Sequence, residues 1–251
     1  MLTQQQVDRA YGLALVHCGS CRDYHLTRPF FVAAGIRGVE RDRPLFVPLL
    51  QKFVRPGARL LVAAAGDSTL PELVLDAVGD RLAGLLVADR CETPLAQCRD
   101  LVHWAPITIE TKAVDLVTTP PLGSFDIIVA HYVLPFIPPD SRVAFLRNLA
   151  RMLAPGGLLI AAYPLARARG ATRPGVTARL LEGLARHNIS LPDPPAPLLE
   201  ALQRLEAAGP KDFDGTAPEA IALFAAAGLD VVETSDSEVE PLRRYVVATP
   251  H

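Results

Sequence analysis

Arg59 to Ser68 reads R-L-L-V-A-A-A-G-D-S, an apolar run entering a single glycine and a small polar turn, and Thr69-Leu70-Pro71-Glu72 then starts a helix. Strand, tight turn and helix N-terminus in that order make the nucleotide-binding corner of an α/β sheet. A pyrophosphate needs several glycines there, because the backbone must approach it closely and offer N–H groups. Gly66 stands nearly alone, with alanines at 63, 64 and 65. The corner therefore suits a nucleoside without phosphates better than NAD, with Ala64, Gly66, Asp67 and Ser68 as its contacts. Asp89 follows Gly66 by 23 positions, close to the roughly 20-residue offset at which an acid meets a ribose. A carboxylate can accept from both ribose hydroxyls at once, although Asp also serves as a helix N-cap. Arg90 and Cys91 come next and are placed to flank a base. His131 ends an apolar strand, and an imidazole is the side chain type suited to act as a general base near neutral pH.

A second group of reactive side chains lies near the N-terminus, in H-C-G-S-C-R-D-Y-H, residues 17–25. Cys18, Cys21 and His25 fall at i, i+3 and i+7 and share one face if the segment is helical. One helix cannot close a tetrahedron around zinc unaided, and no second Cys/His cluster is visible in the sequence. No metal is therefore expected. Cys91 and Cys98, seven apart, have ordinary helix-face spacing and read as packing residues.

The elements that must hold these groups alternate. Residues 59–64, 85–88, 107–109, 125–130 and 158–162 read as parallel strands, with helices at 70–78, 94–102 and 140–153. Ala154-Pro155-Gly156-Gly157 stops the last of these helices. Repeated strand–helix–strand units predict a doubly wound, mostly parallel sheet. A helix at 217–227 then precedes strands at 229–233 and 244–248, whose short connection favours an antiparallel pair. Residues 1–56 read as an N-terminal helical segment broken around Gly35–Gly38 and at Pro44. Residues 165–215 interrupt the alternation as a helical insertion after strand five, with amphipathic stretches at 176–186 and 197–207.

The 251 residues are half apolar, enough for one large α/β domain, residues 57–251, behind that N-terminal segment. Net charge is −2, from 25 basic against 27 acidic residues, which argues against a nucleic-acid groove or an anionic membrane surface. No signal segment or membrane span is evident, and four cysteines do not make a disulfide framework. A cytoplasmic protein with reduced thiols is expected.

Taken together, the chain resembles the class I S-adenosylmethionine (SAM)-dependent methyltransferases from about residue 45 onward, outside the insertion. The resemblance rests on the glycine corner, on Asp89, on F-D-I-I-V-A-H-Y-V-L-P-F-I with the later L-A-P-G-G-L-L-I, and on the closing A-A-A-G-L-D-V-V-E and R-R-Y-V-V-A. It implies a seven-stranded sheet with an antiparallel terminal pair and SAM as cofactor. Asp89 would meet the ribose and Asp115 the adenine amino group, while His131 would stand at the reactive centre. The corner departs from the family pattern: Val62 and Ala63 stand where an acid is usual, and Ser68 replaces the last glycine. Asp67 is then expected to supply the missing carboxylate beside the methionine ammonium. The N-terminal segment would act as a lid, with Arg22, Tyr24, His25 and Arg28 facing the methionine carboxylate or the acceptor, and Tyr24 and His25 joining His131 as catalytic candidates. The implied reaction is methyl transfer to an oxygen or nitrogen of a small organic acceptor, with homodimerisation open. Two other readings fit the same fold: an enzyme that uses SAM without transferring its methyl group, and a non-catalytic subunit that binds a partner protein.

Overall fold

The computed structural model describes residues 2–103, 105, 107–164, 175–208, 215–236 and 243–250. Its centre is a seven-stranded sheet, built from β1 (Ala58–Ala63), β2 (Leu82–Asp89), β3 (Ile109–Ala113), β4 (Phe125–His131), β5 (Leu153–Pro164), β6 (Leu229–Asp236) and β7 (Arg243–Pro250). The order across the sheet is β3-β2-β1-β4-β5-β7-β6. β1 to β5 pair in parallel, and β7 runs antiparallel to both β5 and β6. The expected doubly wound sheet with its antiparallel terminal pair is present.

Both faces of the central strands are apolar because helices cover both. Along β1, Leu60 and Val62 enter one core with Phe46 and Leu50 of α3 (Arg43–Phe53) and with Leu70, Leu73 and Val74 of α4 (Thr69–Val78). Leu61 and Ala63 enter the other, with Phe145, Leu146 and Leu149 of α6 (Arg142–Arg151) and Phe224 of α9 (Ala217–Ala226). The helix between β2 and β3 is α5 (Glu92–Arg99), continued by a 3₁₀ turn at Asp100–His103.

Several boundaries move from their expected places. The third strand lies at 109–113, not 107–109: Glu110, Thr111 and Lys112 are polar, but an edge strand needs only one apolar face, and Ile109 supplies it by pairing with Leu85. β5 starts at Leu153, so the Pro-Gly-Gly run lies inside an irregular first half of the strand, with a register shift against β4. Pro44 does not break the N-terminal segment. It occupies the first turn of α3, where proline loses no hydrogen bond.

The remaining helices form a third cluster. Val7, Tyr11 and Ala14 of α1 (Gln4–His17) and Leu26, Phe30 and Phe31 of α2 (Arg22–Ala33) pack with Leu180 and Leu184 of α7 (Val176–Arg186) and Leu198 and Leu202 of α8 (Ala196–Ala208). The N-terminal segment and the insertion thus share one core, tied further by Arg204 on Asp23 at 2.8 Å. α7 approaches α2 so closely that a Cβ on Gly183 would lie 2.7 Å from Ala34 Cβ. Residues 165–174 and 209–214 of the expected insertion lie outside the described residues. Among the described residues no helix is long and apolar enough to cross a membrane.

Candidate functional site

The sheet order reverses between β1 and β4, whose neighbouring carboxyl ends open a crevice of the kind that binds ligands in open α/β sheets. Both strands end in a left-handed non-glycine residue: Ala64 after β1 has φ 63° and Tyr132 after β4 has φ 56°. Such residues are uncommon and persist where surrounding structure holds them. Gly66 follows with φ 69°, and a Cβ there would lie 3.0 Å from the Tyr24 hydroxyl of α2.

Asp67 is buried at the corner. Its Oδ2 accepts from Arg28 Nε at 2.5 Å and its Oδ1 from the Thr69 N–H at 2.9 Å and the Thr69 hydroxyl. Burial alone would push its pKa up, but Arg28 and Thr69 outweigh it and hold the carboxyl below its ordinary value. Asp67 therefore starts α4 and latches α2, so it is not free for a ligand in this conformation. Ser68 donates to Glu72 Oε1 at 2.7 Å. Burial raises the Tyr24 pKa and keeps its hydroxyl protonated. The space left here, bordered by His25, Arg28, Gly66, Asp67 and Ser68, is a cavity of about 10 Å³.

Asp89 ends β2 beside the corner. Its Oδ1 accepts from the Cys91 N–H at 2.7 Å and its Oδ2 from the Gly66 N–H at 3.4 Å. Burial raises its pKa. Arg90 is exposed. Asp115 stands in the turn after β3, with Oδ1 accepting from the Val117 N–H at 2.9 Å.

His131 brings in a residue that the sequence did not single out. Its Nε2 lies 2.8 Å from Asp42 Oδ2, with side-chain exposures of 7% and 0%. A carboxylate only accepts, so Nε2 carries the proton and Nδ1 is the basic nitrogen of the neutral ring. The ring packs on Tyr132, centroids 4.0 Å apart, and edge-on to Phe46 at 5.9 Å. Asp42 closes a 3₁₀ turn at Val39–Asp42 just before α3. In sequence its only signal is an acid at a helix start, which fits an ordinary cap.

His25 does not face an open acceptor space. Its Nδ1 lies 3.2 Å from Cys18 Sγ, and that sulfur is 3.5 Å from Cys91 Sγ and 2.9 Å from the Thr93 hydroxyl. The ligand atoms of Cys18, Cys21, His25 and Cys91 all lie within 4.8 Å of one another. This corrects the expectation that the N-terminal thiols have no further ligand nearby, and it moves Cys91 from a base-flanking position into the cluster. Burial works against charge on His25, but the Cys21 and Cys91 sulfurs outweigh it and raise its pKa to about 9. The Cys91 thiol is lowered by its hydrogen bond with Cys18, helped by His25.

Comparison with known proteins agrees with this architecture. Residues 63–161 match a family described as "Methyltransferase domain". The chain is similar to the carboxy-S-adenosyl-L-methionine synthase of Marinobacter nauticus, 24% identical over 138 residues that cover 53% of each chain. The alignment thus spans about half the length of that curated relative. Among solved structures, a possible exported protein from Bordetella parapertussis matches at TM-score 0.62 and 16% identity, over 86% of this chain and 70% of that one. The N-methyltransferase NodS from Bradyrhizobium japonicum, in complex with S-adenosylhomocysteine, matches at TM-score 0.55 and 15% identity, over 98% and 97%. With a methyltransferase-domain match over residues 63–161 set on this sheet order, the chain has the fold of the class I SAM-dependent methyltransferases.

Proposed function

We propose that this protein transfers the methyl group of SAM to an oxygen or nitrogen of a small organic acceptor. The observation that carries this reading is the Asp42-held His131 at the end of β4, the strand beside β1, whose own end leads into the corner of Gly66 and Asp89. The donor set fits SAM. Gly66 and two alanines form a turn of small residues without a phosphate cradle, and the Asp89 carboxylate at the end of β2 is the right group for two ribose hydroxyls. Asp89 would hold the ribose, Asp115 the adenine amino group, and Tyr24 with Arg28 the methionine end.

When bound, the cofactor supplies a methyl group on a sulfonium, open to in-line displacement. The chain aligns the acceptor and excludes water. His131 Nδ1 takes the acceptor's proton where the acceptor is protonated, and Asp42 fixes the tautomer and steadies the imidazolium. Ligand sites of this kind need about 300 Å³ or more, against about 10 Å³ at the corner. Tyr24 and Arg28 must therefore swing off Gly66 and Asp67 before the methionine end can enter, which makes α2 the cover of the site.

The test is incubation with methyl-labelled SAM and fractionated small-molecule extract. A labelled acceptor forming together with S-adenosylhomocysteine is expected. The likeness to a carboxy-SAM synthase favours a second reading, chemistry on SAM that leaves its methyl group in place. Consumption of SAM with the label still on a sulfonium product would establish that reading and overturn the first. Absence of SAM binding by calorimetry would overturn both in favour of a non-catalytic subunit.

A further inference from the structure

We infer that Cys18, Cys21, His25 and Cys91 form a structural zinc site that staples the N-terminal helices to the loop after β2. A Cys₃His set is a standard closed zinc site, with four protein ligands and no position left for water or substrate. Around tetrahedral zinc, bond lengths near 2.3 Å to sulfur and 2.0 Å to nitrogen separate the ligands by about 3.8 Å sulfur to sulfur and about 3.5 Å sulfur to nitrogen. Cys18 to Cys91 is 3.5 Å and Cys18 to His25 Nδ1 is 3.2 Å, so these two pairs need to spread by only a few tenths of an ångström, and every other pair of ligand atoms lies within 4.8 Å. All four cysteines are free thiols.

The backbone explains how four ligands converge. Cys18 is the C-cap of α1 and Cys21 the N-cap of α2, so the Cys-x₂-Cys pair spans the turn between two helices rather than one helix face. His25 lies one turn further along α2. Cys91 is the N-cap of α5, brought in from the end of β2. Two helix N-termini thus point at thiolates, where their dipoles favour negative charge. Thr93, fully buried, hydrogen-bonds to Cys18 and fixes its sulfur. Zn²⁺ held by three thiolates and a neutral imidazole leaves one net negative charge, which those helix ends face.

The site joins α1 and α2 to the residue two places beyond Asp89, so it sets where the cover hinges. It does not depend on methyl transfer, and its test does not read activity. Elemental analysis of protein purified without added metal is expected to find about one zinc per chain. Replacing zinc with Co²⁺ should give the visible absorption of a tetrahedral thiolate site. Cys91→Ser should lose the metal. Should that variant fail to fold, His25→Cys still decides: it keeps four ligands, so cobalt remains bound and its sulfur charge-transfer band strengthens. Zinc-free wild-type protein, fully reduced, that binds no Co²⁺ overturns the site. An unchanged cobalt spectrum in His25→Cys removes His25 from the ligand set and overturns the Cys₃His assignment.

Discussion

Asp42 and His131 stand 89 positions apart, and their meeting makes the only buried His–carboxylate pair among the described residues. If His131 is the base, His131→Asn should lower kcat by about 10²- to 10⁴-fold and flatten the acidic limb of the pH–rate profile. Asp42→Asn should leave the fold intact and lower kcat less, because an amide can hold the ring but cannot steady an imidazolium. Steady-state assays across pH check this, and two variants with wild-type rate and profile would confine the pair to packing. At this scale the sequence was legible where a residue's role is set by its neighbours in the chain. Gly66 in its turn and Asp89 at the strand end could be placed from spacing alone. Asp67 could be found, but not its partner: the carboxylate is held by Arg28, 39 residues earlier. Cys91 read as a base-flanking or packing residue and Asp42 drew no reading, and only tertiary packing gives each its partner.

α2 meets the start of α4 through Arg28 and Asp67, with side-chain exposures of 16% and 8%. Removing one partner of a buried ion pair leaves the other charge uncompensated. Arg28→Ala is therefore expected to cost about 3 kcal/mol in ligand-free protein at neutral pH. The sign of the pH dependence follows from Asp67, whose folded pKa is depressed. Its stabilisation is full above the unfolded carboxyl value, about 3.9, and is lost as pH falls through the lower folded value. In Arg28→Ala the buried carboxyl protonates earlier, so the gap between variant and wild type should narrow below about pH 4. Urea unfolding at both ends of that range measures it, and a gap independent of pH would show that Arg28 acts only by packing. Helices and central strands were legible because their apolar period is strong. The third strand was expected two residues too early at its start and four too early at its end because an edge strand carries little apolar signal, and the shared core of α1, α2, α7 and α8 was not visible because its halves lie far apart in the chain.

The whole molecule has a sheet with a core on each face and a third core among α1, α2, α7 and α8. Tyr24 and Arg28 belong to α2 of that third cluster yet touch the corner of the sheet, so a ligand at that corner is expected to act on both units. S-adenosylhomocysteine at 100 times its Kd should stabilise the protein by about 2.7 kcal/mol. For a chain of this size that is a rise in Tm of roughly 5 to 10 °C. NAD should give no rise, because one glycine cannot cradle its pyrophosphate, and Asp89→Ala should abolish the rise with the nucleoside. Coupling between the units makes a sharper demand. α7 and α8 rest on α2, so if the ligand binds through the cover their amides must exchange more slowly when it is bound. Hydrogen exchange that slows at the β1–α4 turn but stays unchanged in α7 and α8 would show that the ligand binds to the sheet alone, leaving the helices a decoration rather than a cover.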